Sequence, residues 1–343
     1  MFDLDRGTII VTGGAGLIGS AVIWALNRRG IDDILVVDRL DGSEKWKHLV
    51  PLRFADYIDA DEFEGRVADG EDFGGVGTVF HLGACSSTTE TDSDYLMRNN
   101  YEYTKNLAHW AEESAERFVY ASSAATYGAL EKDLSDEADL TSLRPLNMYA
   151  YSKHLFDLYA RRAGLDASIC GVKYFNVFGP NEDHKGEMRS LVQKAYEQIR
   201  ADGSVKLFKS YRPEFADGEQ RRDFIYVKDA VDMTLHLAES GATGVFNVGS
   251  GRAQTWLELV RPIFRALERP ERIEFVEMPE RLRGKYQYST CAATNRMLAT
   301  GYAAPVMPLA DAVADYVTNY LVPGRPLDPA DAPVAPPLTA TSS

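Results

Sequence analysis

Residues 8–20 read TIIVTGGAGLIGS, and this stretch decides the fold class. The apolar run Thr8–Thr12 predicts a buried strand, and residues Leu17–Arg29 predict a helix. Between them, three glycines have the spacing Gly13-x-x-Gly16-x-x-Gly19, which indicates a tight turn from strand to helix. We therefore expect the amino terminus of this helix to bind phosphate groups.

The spacing of the glycines and of the next acidic residue suits a dinucleotide. Gly13 permits the turn, Gly16 lets the backbone approach a pyrophosphate, and Gly19 lets helix and strand pack closely. Asp38 follows Gly19 by 19 residues and ends the second predicted strand. A carboxylate at that position binds an adenosine ribose, so the sequence predicts a dinucleotide site.

Two cations near Asp38 bear on which dinucleotide is bound. Asp38 alone favours NAD, because its carboxylate accepts a hydrogen bond from the ribose 2′-hydroxyl. Arg39 follows it directly and Lys45 lies close in sequence, and both suit a ribose 2′-phosphate. Taken singly, each also suits a solvated loop. We expect NADP, with NAD as the alternative.

Apolar runs alternate with helical patterns along the chain, which predicts parallel strands joined by crossover helices. The expected fold is an α/β doubly wound parallel sheet of the Rossmann type. The further predicted strands are Asp33–Val37, Thr78–Leu82, Phe118–Ala121, Ser168–Tyr174 and Gly244–Val248, and two of the predicted helices are Tyr95–Glu113 and Tyr149–Ala163.

The pattern also predicts a division of the chain. Residues 1–180, with a returning segment near 222–250, form the predicted dinucleotide-binding domain. Residues 181–320 are predicted to form mainly a smaller, C-terminal substrate-binding subdomain. Residues 323–343 contain six prolines and many Ala, Thr and Ser residues, which predicts a disordered tail.

Composition excludes several classes of function. A formal net charge of −14 argues against a general nucleic-acid binder, which needs clustered cations. Residues 7–26 lack the basic flank of a signal peptide, and no other stretch suits a membrane helix. Cys85, Cys170 and Cys291 are too few and too scattered for a disulfide framework or a zinc site. We expect a cytoplasmic protein with no metal site and no membrane contact.

A phenol and an ammonium group four residues apart, Tyr149 and Lys153, fall on one face of a predicted helix. A tyrosine ionises near pH ~10, and a neighbouring lysine cation lowers that pKa. Ser122 and Ser123 end a predicted strand, where α/β sheets bind ligands and a hydroxyl can bond a substrate oxygen. Each feature alone also fits a surface pair or a helix cap; together they predict an acid/base site.

Together these residues resemble the extended short-chain dehydrogenase/reductase family, over about residues 7–319. By this resemblance Tyr149 is the acid/base, Lys153 lowers its pKa and binds the nicotinamide ribose, and Ser123 positions the substrate oxygen. Six further motifs are similar to those of the ADP-heptose 6-epimerase branch of that family. They are HLGACSSTTE (81–90), YASSAATYG (120–128), YFNVFG (174–179), HKG (184–186), RDFIYV (222–227) and GKYQ (284–287).

The resemblance implies an ADP-heptose substrate, a nucleotide-sugar whose carbon six is inverted through a transient ketone with hydride held on the cofactor. Inversion needs acid/base groups on two faces, and the resemblance assigns the second to Lys185. By sequence alone Lys185 also fits a solvated loop or a diphosphate contact. The resemblance further implies a homo-oligomer, a pentamer. The other implied cofactor-binding residues are Leu17, Ile18, Leu82, Gly83, Ala84, Cys85, Ser86, Asn99 and Val177, and the substrate-binding residues are Asn176, Glu187, Lys194, Phe208, Arg222 and Tyr286.

Three positions leave alternatives open. Leu82, Glu187 and Lys194 differ from the residue types usual at those positions in the branch, so another nucleotide-sugar epimerase or a dehydratase is the alternative enzyme. A dehydratase needs an acidic pair beside the acid/base site, where this chain has Ala124 and Ala125. The non-enzyme alternative is a regulator that senses NAD(P), against which the intact serine, tyrosine and lysine argue.

Overall fold

A parallel sheet of seven strands forms the centre of the computed structural model, which describes residues 2–283 and 286–331. Its strands are β1 (Thr8–Thr12), β2 (Ile34–Asp38), β3 (Asp56–Asp59), β4 (Val76–His81), β5 (Ala115–Ser123), β6 (Cys170–Tyr174) and β10 (Gly244–Val248). Their order across the sheet is β3–β2–β1–β4–β5–β6–β10. The strand order reverses between β1 and β4, and α/β sheets bind ligands at such a point.

Helices cover both faces of this sheet. Side chains alternate along β1, so Ile9 and Val11 enter a core with the helices Leu17–Arg28 and Val227–Ser240, whereas Ile10 enters a second core with the helices Ala60–Ala68, Tyr103–Ser114 and Met148–Ala163. Among the described residues, each helix is too short or too polar to cross a bilayer. The α-helices are α1 (Leu17–Arg28), α2 (Ala60–Ala68), α3 (Ser93–Leu96), α4 (Tyr103–Ser114), α5 (Met148–Ala163), α6 (Leu191–Asp202), α7 (Val227–Ser240), α8 (Trp256–Ala266), α9 (Glu280–Arg283), α10 (Asn295–Ala299) and α11 (Leu309–Tyr316).

Shorter helical segments connect these elements. Two of them are π-helical, Met97–Glu102 between α3 and α4 and Val317–Leu321 after α11. The 3₁₀ segments are Glu44–His48, Ala124–Tyr127, Leu140–Ser142, Leu165–Ala167 and Asp183–Met188.

Two small sheets follow the carboxyl edge of the large one. The first contains β7 (Asn176–Phe178), β9 (Arg221–Tyr226) and β11 (Ala253–Thr255), with β9 parallel to β7 and antiparallel to β11. The second pairs β8 (Val205–Phe208) with β12 (Ile273–Val276) in parallel. Because a single residue separates β6 from β7, the first small sheet begins at the edge where the large strands end.

The predicted fold class is confirmed, and each predicted strand overlaps a strand of the large sheet. The pattern does not predict β3, an edge strand of sequence DYID in which only Ile58 is buried. The predicted returning segment is divided between two sheets. Residues Arg221–Tyr226 pair with β7 and β11, whereas α7 and β10 return to the large sheet.

The first residues of the predicted tail pack against the body of the protein. Leu327 is fully buried, and its N–H donates to Asn181 Oδ1 at 3.1 Å. The carbonyl of Asp328 accepts a hydrogen bond from Trp24 Nε1 at 3.0 Å. Asp331 accepts one from the Tyr320 hydroxyl at 2.9 Å. Residues 323–331 thus differ from the expected disorder, and the rest of the predicted tail, 332–343, lies outside the described residues.

A buried ion pair joins α5 to β6. Lys173 Nζ lies 2.7 Å from Asp157 Oδ2, and the two side chains are almost completely excluded from solvent. The hydroxyls of Ser122 and Tyr120, both on β5, donate to the same carboxylate at 2.8 and 3.0 Å. One carboxylate therefore ties α5, β5 and β6 together near the edge where the strands end.

Replacing one partner of this pair should be costly. We predict that Asp157→Ala lowers the free energy of unfolding by about 3–5 kcal/mol, because it leaves the buried Lys173 ammonium unpaired. The double variant Asp157→Leu/Lys173→Met removes both charges and should recover most of that loss. Urea unfolding of the three proteins measures both effects. A loss below about 1 kcal/mol in Asp157→Ala would contradict a structural role for the pair.

Candidate functional site

A cavity opens at the carboxyl edge of the large sheet, at the reversal between β1 and β4. It lies among the glycine-rich turn, the ends of four central strands, the start of α5 and the first small sheet. The lining residues are Gly13, Gly16, Leu17, Ile18, Gly19, Asp38, Lys45, Leu82, Gly83, Ala84, Ser86, Thr88, Ala121, Ser122, Ser123, Ala124, Ala125, Tyr149, Lys153, Tyr174, Phe175, Asn176, Val177, His184, Lys185, Arg222, Gln287 and Thr290.

The glycine-rich turn is packed too tightly for side chains. Gly13 has φ +68°, and a Cβ there would lie 2.7 Å from the backbone nitrogen of Gly83. A Cβ on Gly19 would lie 2.1 Å from the carbonyl oxygen of Gly13. Gly16 is the N-cap of α1, so the first turn of the helix meets the cavity without a capping side chain. This end of α1 suits an anion, as expected for a pyrophosphate.

Asp38 is almost completely buried and already accepts three hydrogen bonds. Its Oδ2 accepts the N–H of Ala15 at 2.8 Å. Its Oδ1 accepts the N–H of Arg39 at 2.7 Å and the ammonium of Lys45 at 2.9 Å. The carboxylate thus fixes the glycine-rich turn, and Lys45 compensates its charge.

The guanidinium of Arg39 points to a second, adjoining cavity, which is also lined by Asp38, Lys45, Cys85 and Asn99. Arg39 Nε donates to Asp61 Oδ1 at 2.8 Å, and its Nη1 donates to Asn99 Oδ1 at 2.6 Å. Every residue predicted to bind the cofactor lines one of these two adjoining cavities. The hydrogen-bond donors in the two cavities and the uncapped amino terminus of α1 fit a dinucleotide.

Tyr149 and Lys153 lie on one face of α5, and Ser123 ends β5 beside them. Burial lowers the pKa of Lys153 to about 8, and Asp157 acts in the opposite direction. The four-residue spacing predicted that Lys153 lowers the pKa of Tyr149. In the structure the pKa of Tyr149 is raised, because burial disfavours the phenolate more than the Ser123 hydroxyl stabilises it.

Lys185 enters the same cavity on the 3₁₀ segment Asp183–Met188, named here the HKG loop. Burial lowers the pKa of its ammonium, which Glu182 partly opposes. Glu182 closes the base of the loop, since its carboxylate accepts the Ser190 N–H at 2.5 Å and the Ser190 hydroxyl at 2.6 Å. The loop thus presents a partly desolvated lysine to the cavity that contains Tyr149.

Arg222 forms a cationic wall of the cavity. Its guanidinium lies 5.0 Å from the ring centroid of Tyr286 and 5.8 Å from that of Trp256. Burial lowers the pKa of this guanidinium, which Tyr286 and Glu131 partly oppose. A guanidinium held by aromatic rings suits a phosphate or diphosphate ligand.

Four predicted substrate residues do not line the cavity. The side chain of Glu187 is 96% exposed, and its carboxylate lies 3.5 Å from the ammonium of Lys194 on α6. Phe208 ends β8 in the second small sheet. Tyr286 contacts Arg222 rather than the cavity itself. Of the predicted substrate positions, Asn176 and Arg222 reach the cavity.

Sequence reasoning missed several lining residues. Thr88, His184 and Gln287 each lie inside a quoted motif, so their positions in HLGACSSTTE, HKG and GKYQ were the available signal. Thr290 lies three residues beyond the last of these motifs. The other missed residues also follow or lie within quoted motifs, and they are Ala121, Ala124, Ala125, Tyr174 and Phe175.

A doubly wound sheet with this cavity at its strand reversal defines a Rossmann-fold enzyme that binds a dinucleotide. Comparison with known proteins narrows the class. The model of the NAD dependent epimerase/dehydratase family matches residues 9–249, and the chain belongs to that family.

Individual relatives agree with this family. A protein from Nitratidesulfovibrio vulgaris (strain DP4), named ADP-L-glycero-D-manno-heptose-6-epimerase, is 51% identical over 319 residues, or 92% of this chain and 99% of the relative. One of the same name from Fusobacterium nucleatum is 45% identical, over 91% of this chain and 98% of the relative. The crystal structure of the Helicobacter pylori protein of that name superposes with a TM-score of 0.77 at 27% identity, covering 92% of this chain and 96% of that one.

Proposed function

We propose that this chain inverts carbon six of ADP-D-glycero-β-D-manno-heptose and so forms ADP-L-glycero-β-D-manno-heptose. One observation carries the proposal: Tyr149 and Lys185, two groups able to transfer protons, line one cavity with the glycine-rich turn. The names of the relatives from N. vulgaris and F. nucleatum, which match nearly the whole chain, support the choice of substrate.

Inverting an unactivated secondary alcohol requires transient oxidation of its carbon, so the reaction passes through a ketone. A bound nicotinamide dinucleotide supplies the acceptor and donor of hydride, so no net oxidation occurs. The residues of this chain bind the sugar, hold the ketone oxygen, and move a proton to and from it.

Tyr149 exchanges the proton of the sugar oxygen on one face, and the Ser123 hydroxyl holds that oxygen. Lys153, whose pKa is lowered to about 8, binds the nicotinamide ribose beside Tyr149 and favours its phenolate when charged. Lys185 exchanges the proton when the ketone presents its other face. Because burial lowers the pKa of Lys185, a larger fraction of it is the neutral amine near neutral pH, and that form can accept a proton.

The rest of the cavity suits the nucleotide-sugar. The Arg222 guanidinium binds the diphosphate in a fork, and the ring of Tyr286 holds it in place. Asn176 and Gln287 supply amide groups for sugar hydroxyls. Phe208 stays a proposed contact for the adenine. The proposed roles of Glu187 and Lys194 in the sugar pocket likewise depend on the family resemblance alone.

For the cofactor we propose NADP. Lys45 neutralises Asp38, which reduces the repulsion between that carboxylate and a ribose 2′-phosphate. The guanidinium of Arg39 borders the adjoining cavity and is about one-third exposed, so it can turn toward a phosphate. The homo-oligomer, the cytoplasmic location and the division of the chain at residue 180 stay predictions.

We predict that the purified protein converts ADP-D-glycero-β-D-manno-heptose to the L-glycero epimer, as measured by NMR at carbon six. Tyr149→Phe should lower the rate by about 10²–10⁴-fold, because it removes one acid/base group. Tyr151→Phe is the matched control, since Tyr151 is 45% exposed and should retain near-normal activity. Unaltered nucleotide-sugar after prolonged incubation would contradict the proposed function.

We predict that the cofactor released on denaturing the purified enzyme is NADP. Mass spectrometry of the supernatant distinguishes it from NAD directly, because the 2′-phosphate changes the mass. Arg39→Ala should shift the released mixture toward NAD. Recovery of NAD alone from the wild type would overturn the choice of cofactor without affecting the fold.

Lys185→Met should lower kcat of epimerisation, while KM for the nucleotide-sugar changes little, because Lys185 acts in the transition state. Lys185→Arg keeps the cation but has too high a pKa to accept a proton, so it should lower kcat similarly. Steady-state kinetics in both directions measure both variants. An increase in KM with unchanged kcat would show that Lys185 only binds substrate, and Tyr149 would then serve both faces.

A further inference from the structure

His48 is a buried histidine, 2% exposed, that links two loops far apart in sequence. Its Nδ1 lies 2.8 Å from the carbonyl oxygen of Ala15 in the glycine-rich turn. Its Nε2 lies 2.7 Å from Oδ1 of Asp183, the first residue of the HKG loop. The ring thus lies between the part of the chain suited to the dinucleotide and the part that carries Lys185.

Both ring nitrogens of His48 face hydrogen-bond acceptors. A neutral imidazole has one N–H donor, so two such bonds require the doubly protonated ring or a protonated carboxyl on Asp183. The hydrogen bond from His48 lowers the pKa of Asp183, which keeps that carboxyl ionised. The ring therefore has one acceptor at each nitrogen, the first on the glycine-rich turn and the second on the HKG loop.

The same residues offer donors to a metal ion, since atoms of His48, Asp183 and His184 lie within 4.8 Å of one another. The geometry favours a proton instead. Two ligands of a tetrahedral zinc ion, each about 2.0–2.1 Å from it, lie about 3.3 Å apart. The 2.7 Å between His48 Nε2 and Asp183 Oδ1 is the length of a hydrogen bond.

Among the described residues, one other side-chain hydrogen bond connects the HKG loop to the dinucleotide side of the cavity. It is a weak contact of 3.9 Å from the Thr88 hydroxyl to the sulfur of Met188. At the opposite end, Glu182 fixes the base of the loop to Ser190. The bond from His48 to Asp183 therefore joins the loop itself to the glycine-rich turn, and just before the loop Asn181 Nδ2 donates to the Ser20 hydroxyl at 2.9 Å.

We propose that His48 is a positioning residue that couples the glycine-rich turn to the HKG loop. A dinucleotide that orders the turn thereby fixes the backbone of the loop and the place of Lys185 over the cavity. The coupling depends on two hydrogen bonds made by one ring, so losing either bond uncouples the loops. The inference rests on the proposed function only for the part that Lys185 takes in the reaction.

The two amide variants of His48 each keep one bond. In His48→Asn the amide can still donate to Ala15 but does not reach Asp183. In His48→Gln the longer amide can reach Asp183 but loses the bond to Ala15. Lys47→Gln is the matched control, because Lys47 lies on the same 3₁₀ segment and pairs only with exposed Glu44 at 2.7 Å.

Hydrogen exchange tests the coupling without any sugar substrate. Added NADPH should slow amide exchange in peptides covering 13–20 and 183–190 of the wild type and of Lys47→Gln. In both His48 variants, slowing should persist at 13–20 and disappear at 183–190. Slowing at 183–190 that matches the wild type in either variant would overturn the proposal, whether or not the enzyme epimerises ADP-heptose.

Kinetics test the consequence for Lys185. His48→Asn should lower kcat by about 10-fold, within the ~10²-fold that a 1 Å misplacement can cost, while the variant still binds NADPH. Combined with Lys185→Met, it should add no further loss, because it acts through that lysine. Additive losses in the double variant, or an unchanged kcat in His48→Asn, would contradict a positioning role. Retained NADPH binding also shows that the variant is folded.

Discussion

The ion pair between Asp157 and Lys173 is the interaction on which the site depends most. It lies almost entirely out of solvent, so neither charge is tolerable without the other. Its carboxylate also accepts the Ser122 hydroxyl, one residue before Ser123. Asp157 lies on α5, one turn after Lys153 and two turns after Tyr149. The same group that holds three elements together therefore sets the distance between the serine and the tyrosine–lysine face.

The cavity has the opposite charge to the whole protein. The chain has a formal net charge of −14, yet among the described residues the lining includes Lys45, Lys153, Lys185 and Arg222 against the one carboxylate of Asp38. Burial removes water from three of these cations and so lowers their pKa values. An anionic ligand would compensate for that loss by pairing with their positive charges. This arrangement suits a dinucleotide and a nucleotide diphosphate sugar, both of which carry phosphates, and discourages neutral sugars.

Local patterns predicted most of the fold and the centre of the site. The glycine-rich turn, Asp38 and the Tyr149–Lys153 pair are each encoded within a few residues, and all of them line the cavity. The net rise in the pKa of Tyr149 was not predictable from the sequence, because the degree of burial is a property of the assembled structure. The bond between His48 and Asp183 joins residues 135 apart, and no short pattern encodes it.

The other differences between prediction and structure also arise from the assembled fold. The edge strand β3 reads DYID and has no apolar run, since pairing on one side and one buried side chain suffice to hold it. Residues 323–331 have a composition typical of disorder, but Leu327 fills a buried position that the rest of the fold provides. Glu187 and Lys194 form a pair outside the cavity, so assignment through the family resemblance did not ensure contact with the cavity.

In the proposed reaction, carbon six gives up its hydrogen as hydride to a bound nicotinamide dinucleotide and regains the same hydride. Epimerisation of ADP-heptose labelled with deuterium at carbon six, followed by mass spectrometry and NMR, tests this claim most directly. The epimer should retain deuterium at carbon six, and unlabelled substrate that reacts in D₂O should gain none at that carbon. Loss of the label to water, or gain of deuterium from D₂O at carbon six, would show that carbon six loses a proton rather than a hydride. Either result would contradict the proposed mechanism.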